Sequence, residues 1–382
     1  MVHAGGMKQL LFLIRSLDRG GAERQLIELA KGLDKARFAV TVCTFYDGGA
    51  LRPDLERVDG VKVISLHKAN RWDLLPFLWR LWKTVRRVKP HIIHGYMGVA
   101  NELSLLMGRA VGAKVAWGIR ASNMDLSQYD WASRCSFRVG GWLSRFTDLM
   151  IVNSQAGKEH HVAHGYSGKL MIVIPNGIDI QRFRPDPAAR QRVRAEWAIA
   201  DDQILIGLVG RLDPMKDHPN FLKGAASLAR EREETRFVCV GGGAAAYQQE
   251  LQQFGNKLGL RERLVWAGAR DDMPAIYNAL DVASSSSSYG EGFPNVIGEA
   301  MACGVPCVVT DVGDSAWIVG KAGVVVRPKD AEALARGWKQ ILAFSASERA
   351  KLSILARQRI TTNFTREQLM ARTQQALLSL YR

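Results

Sequence analysis

The chain is poor in whatever would anchor it in a bilayer or staple it together. No long apolar run occurs. The longest near the start, "LLFLI" (Leu10–Ile14), is far short of the roughly 20 residues that a membrane-spanning helix requires. Arg15 follows it without the small-residue cleavage site that ends a secretory leader, so the run reads as a buried first strand and the "MVHAGG" before Met7 as an extension of the start. Cysteine is scarce: five in 382 residues, odd in number and scattered (Cys43, Cys135, Cys239, Cys303 and Cys307). Cys303 and Cys307 lie four apart, but no second pair or nearby histidine completes a zinc set. Reduced, buried thiols in a cytoplasmic protein are the expectation. No RNP, KH or zinc-finger pattern is present, which argues against a nucleic-acid partner. Disorder is excluded as well, because 47% of the residues are hydrophobic and 23% charged, an ordinary globular balance. The length favours two domains.

Positive charge is plentiful and unevenly placed. Of the net +15, residues 1–184 carry +12, with 27 Lys and Arg against 15 Asp and Glu. Such a field suits anionic partners, whether a phospholipid surface or a phosphorylated substrate, although a solvated basic surface gives the same count. Part of it sits in "RWDLLPFLWRLWKTVRRVKP" (Arg71–Pro90). There Leu74, Leu75, Leu78, Leu81, Trp82 and Val85 recur at helical spacing, among Arg80, Lys83, Arg86, Arg87 and Lys89. The stretch reads either as an in-plane helix on anionic lipid or as a core-facing helix with a wet basic back.

Short β-branched apolar runs alternate with helical stretches along the first half: "QLLFLI", "FAVTVCTF", "VKVISL", "HIIHGY", "AKVAWGI" and "DLMIVNS". That pattern predicts a parallel sheet covered on both faces. Around Lys169–Arg190 three prolines mark a linker, and the alternation then resumes. The expectation is an α/β chain of two doubly wound Rossmann-like domains, residues 1–182 and 183–364, facing across a cleft. The tail 365–382 is helical after a break near Thr361–Thr365. Ligands of such sheets sit at the carboxyl ends of the strands.

Three stretches at predicted strand ends carry chemistry. "SYGEGFPNVIGEAMACGVP" (Ser288–Pro306) sets Glu291 before a helix start and Glu299 inside the helix. Pro294 suits the first turn, and Gly304 with Pro306 suits the stop, so the helix spans about Pro294–Cys303. The N–H groups of Phe293 to Val296 would favour a phosphate, and each carboxylate can accept from a vicinal diol. One phosphate seat between two diol acceptors matches a nucleotide-sugar; a capped helix with a surface glutamate is the plainer alternative. "GLVGRLDPMKDHPNF" (Gly207–Phe221) adds Arg211 and Lys216, two cations able to hold a pyrophosphate, unless Asp213 and Asp217 merely pair with them. "SLDRGGAERQLIELA" (Ser16–Ala30) offers Gly20 and Gly21 at a helix N-terminus, as a plain tight turn also would. A fourth stretch, with Gly241, Gly243 and Ala246, fits a lax dinucleotide fingerprint with Glu262 as its acid. It sits mid-domain and lacks a hydride site.

Taken together and in this order, the motifs resemble the retaining GT-B glycosyltransferases of family 4 (glycosyl transferases group 1), of the bacterial surface-polysaccharide type. The likeness runs from "GGAER" through "IVNS", "VIPNGID", "GLVGRLDPMKD" and "VGGG" to "YGEGFPNVIGEAMACGVPCVVTD". The last stretch carries that family's E-x7-E motif as Glu291 and Glu299. The resemblance implies that Glu299 binds the nucleotide ribose and Glu291 the donor hexose. It also implies that Gly292, Phe293, Pro294, Asn295 and Val296 contact sugar and phosphate, and that Arg211 and Lys216, joined by Gly21, grip the diphosphate. Arg270 falls near the base, and the final helix crosses back to the first domain. Many relatives place a histidine at the strand corresponding to "AKVAWGIR", where this chain has Arg120, while His94 ends the preceding strand; either could meet the transferred sugar. The family's front-face attack, with the leaving phosphate taking the acceptor proton, requires no enzymic nucleophile, metal or cofactor, and no D-x-D occurs. The expected partners are a nucleotide-diphosphate sugar, UDP-linked by preference, and a saccharide or lipid-diphosphate acceptor at the inner membrane face. A nucleotide-sugar epimerase or hydrolase of the same fold, or a non-enzymic lipid- or partner-binding module, are the other readings.

Overall fold

The structure, a computed structural model, describes residues 6–18, 20–70, 72–120, 122 and 131–381. Arg19 of the Gly-Gly stretch, Arg71 at the head of the basic stretch and the first five residues lie outside the described residues. The chain forms two compact units. One takes the residues up to Gly177 together with those from Arg366 on; the other is Ile178–Thr365. The divide falls a few residues before the expected 182/183. Ile178 N–H donates to the Phe364 carbonyl at 2.8 Å, and Ile178 and Phe183 are buried in the second unit's core.

In the first unit seven strands form one parallel sheet: β1 (Lys8–Ile14), β2 (Phe38–Thr44), β3 (Val61–Ser65), β4 (Ile92–Tyr96), β5 (Lys114–Ile119), β6 (Leu149–Val152) and β7 (Met171–Val173), in the order β3-β2-β1-β4-β5-β6-β7. Side chains alternate across it, as the pleat demands. Leu10, Phe12 and Ile14 meet Leu26 and Leu29 of the helix Gly21–Gly32 on one face. Leu11 and Leu13 meet Phe77, Leu81 and Val85 of the helix Leu74–Val88 on the other. The tail helix Arg366–Ser379 adds Leu369 and Leu377 to the first of these clusters, and Arg366 pairs with Glu28 at 3.2 Å.

The second unit has six parallel strands: β8 (Ile204–Val209), β9 (Thr235–Val240), β10 (Leu264–Gly268), β11 (Val282–Ser285), β12 (Cys307–Thr310) and β13 (Gly323–Val326), in the order β10-β9-β8-β11-β12-β13. Leu205 and Val209 pack with Ile276, Met301 and Ile360. Ile206 and Leu208 pack on the opposite face with Phe221, Leu222 and Trp338. In each sheet the order reverses at one point, between β1 and β4 and between β8 and β11, and such a point leaves a crevice at the carboxyl ends of the two strands beside it.

The thiols depart from expectation in one case. Cys43, Cys239, Cys303 and Cys307 are buried and unpaired, but Cys135 is exposed, on the helix Trp131–Leu143. The basic helix divides its apolar residues. Phe77, Leu81 and Val85 are core, whereas Leu74 and Leu75 of the expected stripe are exposed. Among the described residues no helix is long and apolar enough to cross a membrane.

Candidate active site

The reversal point of the second sheet is where the motif residues gather. Arg211 and Lys216 follow β8, and Glu291 follows β11. After β8 the chain turns through Pro214–Lys216. Asp213 caps that turn by accepting from Met215 N–H at 3.0 Å, and Asp217 caps the helix His218–Glu231 by accepting from Asn220 N–H at 3.2 Å. Both aspartates are therefore structural caps. The Lys216 Nζ meets Glu291 Oε1 at 2.5 Å, with both side chains close to fully buried. Ser287 Oγ donates to the same carboxylate oxygen at 2.7 Å. Ser286 Oγ donates to the Lys216 carbonyl at 2.7 Å, and Ser288 N–H to the Met215 carbonyl at 2.9 Å. The two loops are thus laced together before any ligand arrives. Lys216 thus pairs with Glu291 and not with Asp213 or Asp217, a partner of which the sequence shows no sign. Arg211, exposed, has Asp213 3.7 Å away.

The second glutamate lies where the helix prediction put it. The helix is Asn295–Ala302, flanked by Pro294 as N-cap and Cys303 as C-cap. Proline has no side chain that could accept from the first turn, so the helix start at Phe293–Val296 has no cap of that kind. Gly304 has φ +81°. Its N–H donates to the Met301 carbonyl at 2.9 Å and the Val305 N–H to the Ala300 carbonyl at 3.0 Å, the two hydrogen bonds of a left-handed helix stop. Glu299 accepts from the Tyr277 hydroxyl at 2.8 Å. Burial, and then the nearby Glu299 charge, raise the Tyr277 phenol well above its ordinary range, which keeps it a donor.

Four features here escape a sequence reading. Ser287 and Tyr277 orient the two glutamates; the serine run Ser284–Ser288, which ends β11 and continues past it, was the available signal for the first, and nothing local marks the second. His218, wholly buried beside the Lys216 turn, is held neutral, its pKa lowered to about 4 by burial and then by the Lys216 charge. The glycines of the dinucleotide-like stretch serve backbone approach: a Cβ on Gly241 would lie 1.9 Å from the Gly210 carbonyl oxygen, and Leu212 N–H donates to the Gly242 carbonyl at 2.9 Å. That run steadies the Arg211 loop. Arg270 is committed elsewhere, bridging Asp272 at 2.9 Å and Glu196 at 2.5 Å.

In the first unit Arg120 follows β5 at the sheet's carboxyl edge. It donates to Asn176 Oδ1 at 3.1 Å and to the Tyr96 hydroxyl at 2.6 Å, and its guanidinium lies 4.7 Å from the Tyr96 ring centre. His94 does not end its strand; it is the middle residue of β4 and wholly buried. Its ring packs 4.9 Å from Tyr96 and 5.2 Å from Phe12. Burial, with the Arg120 charge second, lowers its pKa to about 3. A buried neutral imidazole in the sheet cannot touch a sugar as the chain stands. Gly20 is the N-cap of the helix Gly21–Gly32. The Glu23 carboxylate folds back against it, 2.0 Å from where a Cβ would be, so a carboxylate of the chain itself already faces that helix start.

Two all-parallel Rossmann-like units, one with an acid–cation pair at its reversal point, define a doubly wound α/β architecture. Comparison with known proteins narrows this. The model described as Glycosyltransferase Family 4 matches residues 19–182, and that described as Glycosyl transferases group 1 matches residues 203–343. The chain belongs to the GT-B glycosyltransferases of family 4. It is 33% identical over 270 residues to the GDP-mannose-dependent alpha-(1-6)-phosphatidylinositol monomannoside mannosyltransferase of Mycolicibacterium smegmatis, covering 65% of this chain and 66% of that one. It is 27% identical over 395 residues to the D-inositol 3-phosphate glycosyltransferase of Rhodococcus jostii, covering 96% of this chain and 85% of that one. Among solved structures, Anabaena HepE in complex with UDP superposes with a TM-score of 0.86 at 25% identity, covering 97% of this chain and all of that one.

Proposed function

We propose that the protein transfers a hexose-type sugar, with retention, from a nucleotide-diphosphate sugar to a saccharide or lipid-linked acceptor during cell-surface polysaccharide assembly. The observation that carries this reading is the buried Lys216–Glu291 pair, held by Ser287 at the reversal point of the second sheet. In this reading the helix start at Phe293–Val296, whose proline N-cap offers no side-chain acceptor, takes a phosphate of the donor. Lys216 and Arg211 take the charge that develops on the leaving diphosphate, Glu299 accepts from the ribose, and Glu291 from the hexose. The acceptor oxygen bonds to the sugar's anomeric carbon as the bond from that carbon to the phosphate oxygen breaks. The acceptor proton passes to the departing phosphate, and nucleoside diphosphate leaves. Arg120, not His94, is the first unit's contact to the transferred sugar, and Gly20 and Gly21 serve the phosphates once Glu23 has moved aside.

HepE crystallised with UDP and with UDP-glucose, which supports a UDP-sugar as donor. The basic first unit supports work at the inner membrane face as a peripheral protein. The test is release of nucleoside diphosphate from UDP-, GDP- and ADP-sugars with and without a lipid-linked saccharide. Transfer predicts release that depends on acceptor. Release at the same rate without acceptor defeats the proposal in favour of a hydrolase or epimerase, and binding without any release defeats it in favour of a binding module.

A further inference from the structure

A cavity lies wholly within the first unit, and none of the Gly20–Gly21, Arg211–Lys216 or Glu291–Glu299 motif residues lines it. It has a volume of about 310 Å³ and opens at the carboxyl ends of β1, β2 and β3. Its walls are apolar: Phe45, Phe77, Leu78 and Leu103, with Phe45 and Phe77 in edge contact at 5.0 Å. Two cations stand at its rim. Arg15 lies 5.6 Å from the Tyr46 ring centre, and Lys68 lies 5.9 Å from that ring and 5.6 Å from Phe77. Among the described residues neither forms an ion pair with a carboxylate. The acid that feels the Lys68 charge, Asp73, is already bonded to Arg80.

We propose that this pocket binds an anionic amphiphile, a phosphate head on a hydrocarbon tail, as the lipid-bearing part of the acceptor. The assignment rests on the transferase reading above. Charge complementarity selects the head. Two cations held over aromatic faces, neither in an ion pair among the described residues, can share one phosphate or diphosphate. The apolar walls select the tail. The cavity equals about ten water volumes, room for a short run of hydrocarbon. The two cations and the apolar walls converge on one depression, which fits a single amphiphile. At the mouth the apolar surface continues outward: Leu74 and Val99 line the pocket and are 54% and 52% exposed, and beyond them Trp72, Leu75 and Trp79 are 77%, 79% and 61% exposed. Lys83 sits 5.1 Å from the Trp79 ring. Exposed tryptophans beside a cation suit the membrane interface, where the remainder of a long tail would stay.

The experiment is isothermal titration of the full chain with farnesyl diphosphate below its aggregation limit, with farnesol, inorganic diphosphate and phosphatidylglycerol vesicles titrated separately. Farnesyl diphosphate should bind at least tenfold more tightly than farnesol or inorganic diphosphate. Arg15→Gln with Lys68→Gln should weaken it at least tenfold, and Val99→Asp at the mouth should do the same through the tail. Saturating UDP should leave the binding in place. Displacement by UDP, indifference to both variants, or binding to vesicles but not to farnesyl diphosphate would overturn the assignment. UDP-sugar binding, titrated alone, reports on the transferase reading separately, so that failure there is distinguishable from failure of the pocket.

Discussion

The Lys216–Glu291 pair gives the sharpest quantitative test. Its atoms are 2.5 Å apart and nearly dry. Unit charges about 4 Å apart attract by about 4 kcal/mol at an effective dielectric of about 20. Desolvation offsets much of that while both partners are present, but not once one is gone, when the survivor is left buried and uncompensated at a cost of about 3–5 kcal/mol. Lys216→Met keeps the stem of the side chain and removes the charge. Glu291→Gln keeps the shape and removes the opposite one. Each single change is expected to destabilise the second unit by about 3–5 kcal/mol. For a unit of this size that is a fall in Tm of roughly 10 °C, at about 2–4 °C per kcal/mol. The double variant should recover much of the loss, with a coupling energy of about 2 kcal/mol or more. Calorimetric melts of the four proteins measure this directly. Additivity of the single effects to within about 0.5 kcal/mol would refute the idea that the two side chains form a working unit. Turnover should fall by about 100-fold in Lys216→Met and should not return in the double variant, because the diphosphate still lacks its cation.

Three further outcomes follow from the same geometry. Tyr277→Phe removes the hydroxyl that orients Glu299, so KM for the donor should rise several-fold with kcat little changed in steady-state assays, and an unaltered KM would count against the ribose role. His94 has a pKa lowered to about 3 in the folded chain against about 6.5 unfolded. The unfolded state therefore binds the extra proton first: the contribution is complete above pH 6.5 and is lost as pH falls toward 3, by up to about 1.4 kcal/mol per pH unit. Denaturant melts of His94→Phe between pH 7.5 and 4.5 should show a shallower acid loss than the parent, and parallel curves would show that His94 is not the group. Gly304→Ala places a Cβ at φ +81° and 2.8 Å from Ser353 Oγ, which should cost about 1 kcal/mol or more and lower the thermal midpoint of the second unit.

The donor half was readable because its signals are local. A turn, a helix opened by proline and a glycine stop follow one another from Ser288 to Pro306, and the helix ended within one residue of expectation at either side. What stayed hidden depends on neighbours distant in sequence. Tyr277 reaches Glu299 across 22 positions, and Lys216 reaches Glu291 across 75; no spacing rule foretells a bond between cation and acid that each look free. His94 misled because an apolar run does not reveal where a strand ends, and two residues decide between sheet centre and sheet edge. The helix Leu74–Val88 held a real ambiguity, since its composition fits core and interface alike, and the fold buries Phe77, Leu81 and Val85 while leaving Leu74, Leu75 and Trp79 exposed. The amphiphile pocket left no motif, because its walls come from three strand ends and two helices.

The tail helix Arg366–Ser379 has a consequence for how the chain is made. Leu369 and Leu377 fill the first unit's core, yet they are synthesised only after all of Ile178–Thr365. The second unit can close on itself as it emerges. The first must wait with part of its interior uncovered, held open by residues not yet translated. A released chain truncated before Arg366 should therefore show a protease-resistant second unit attached to a first one that is still cut.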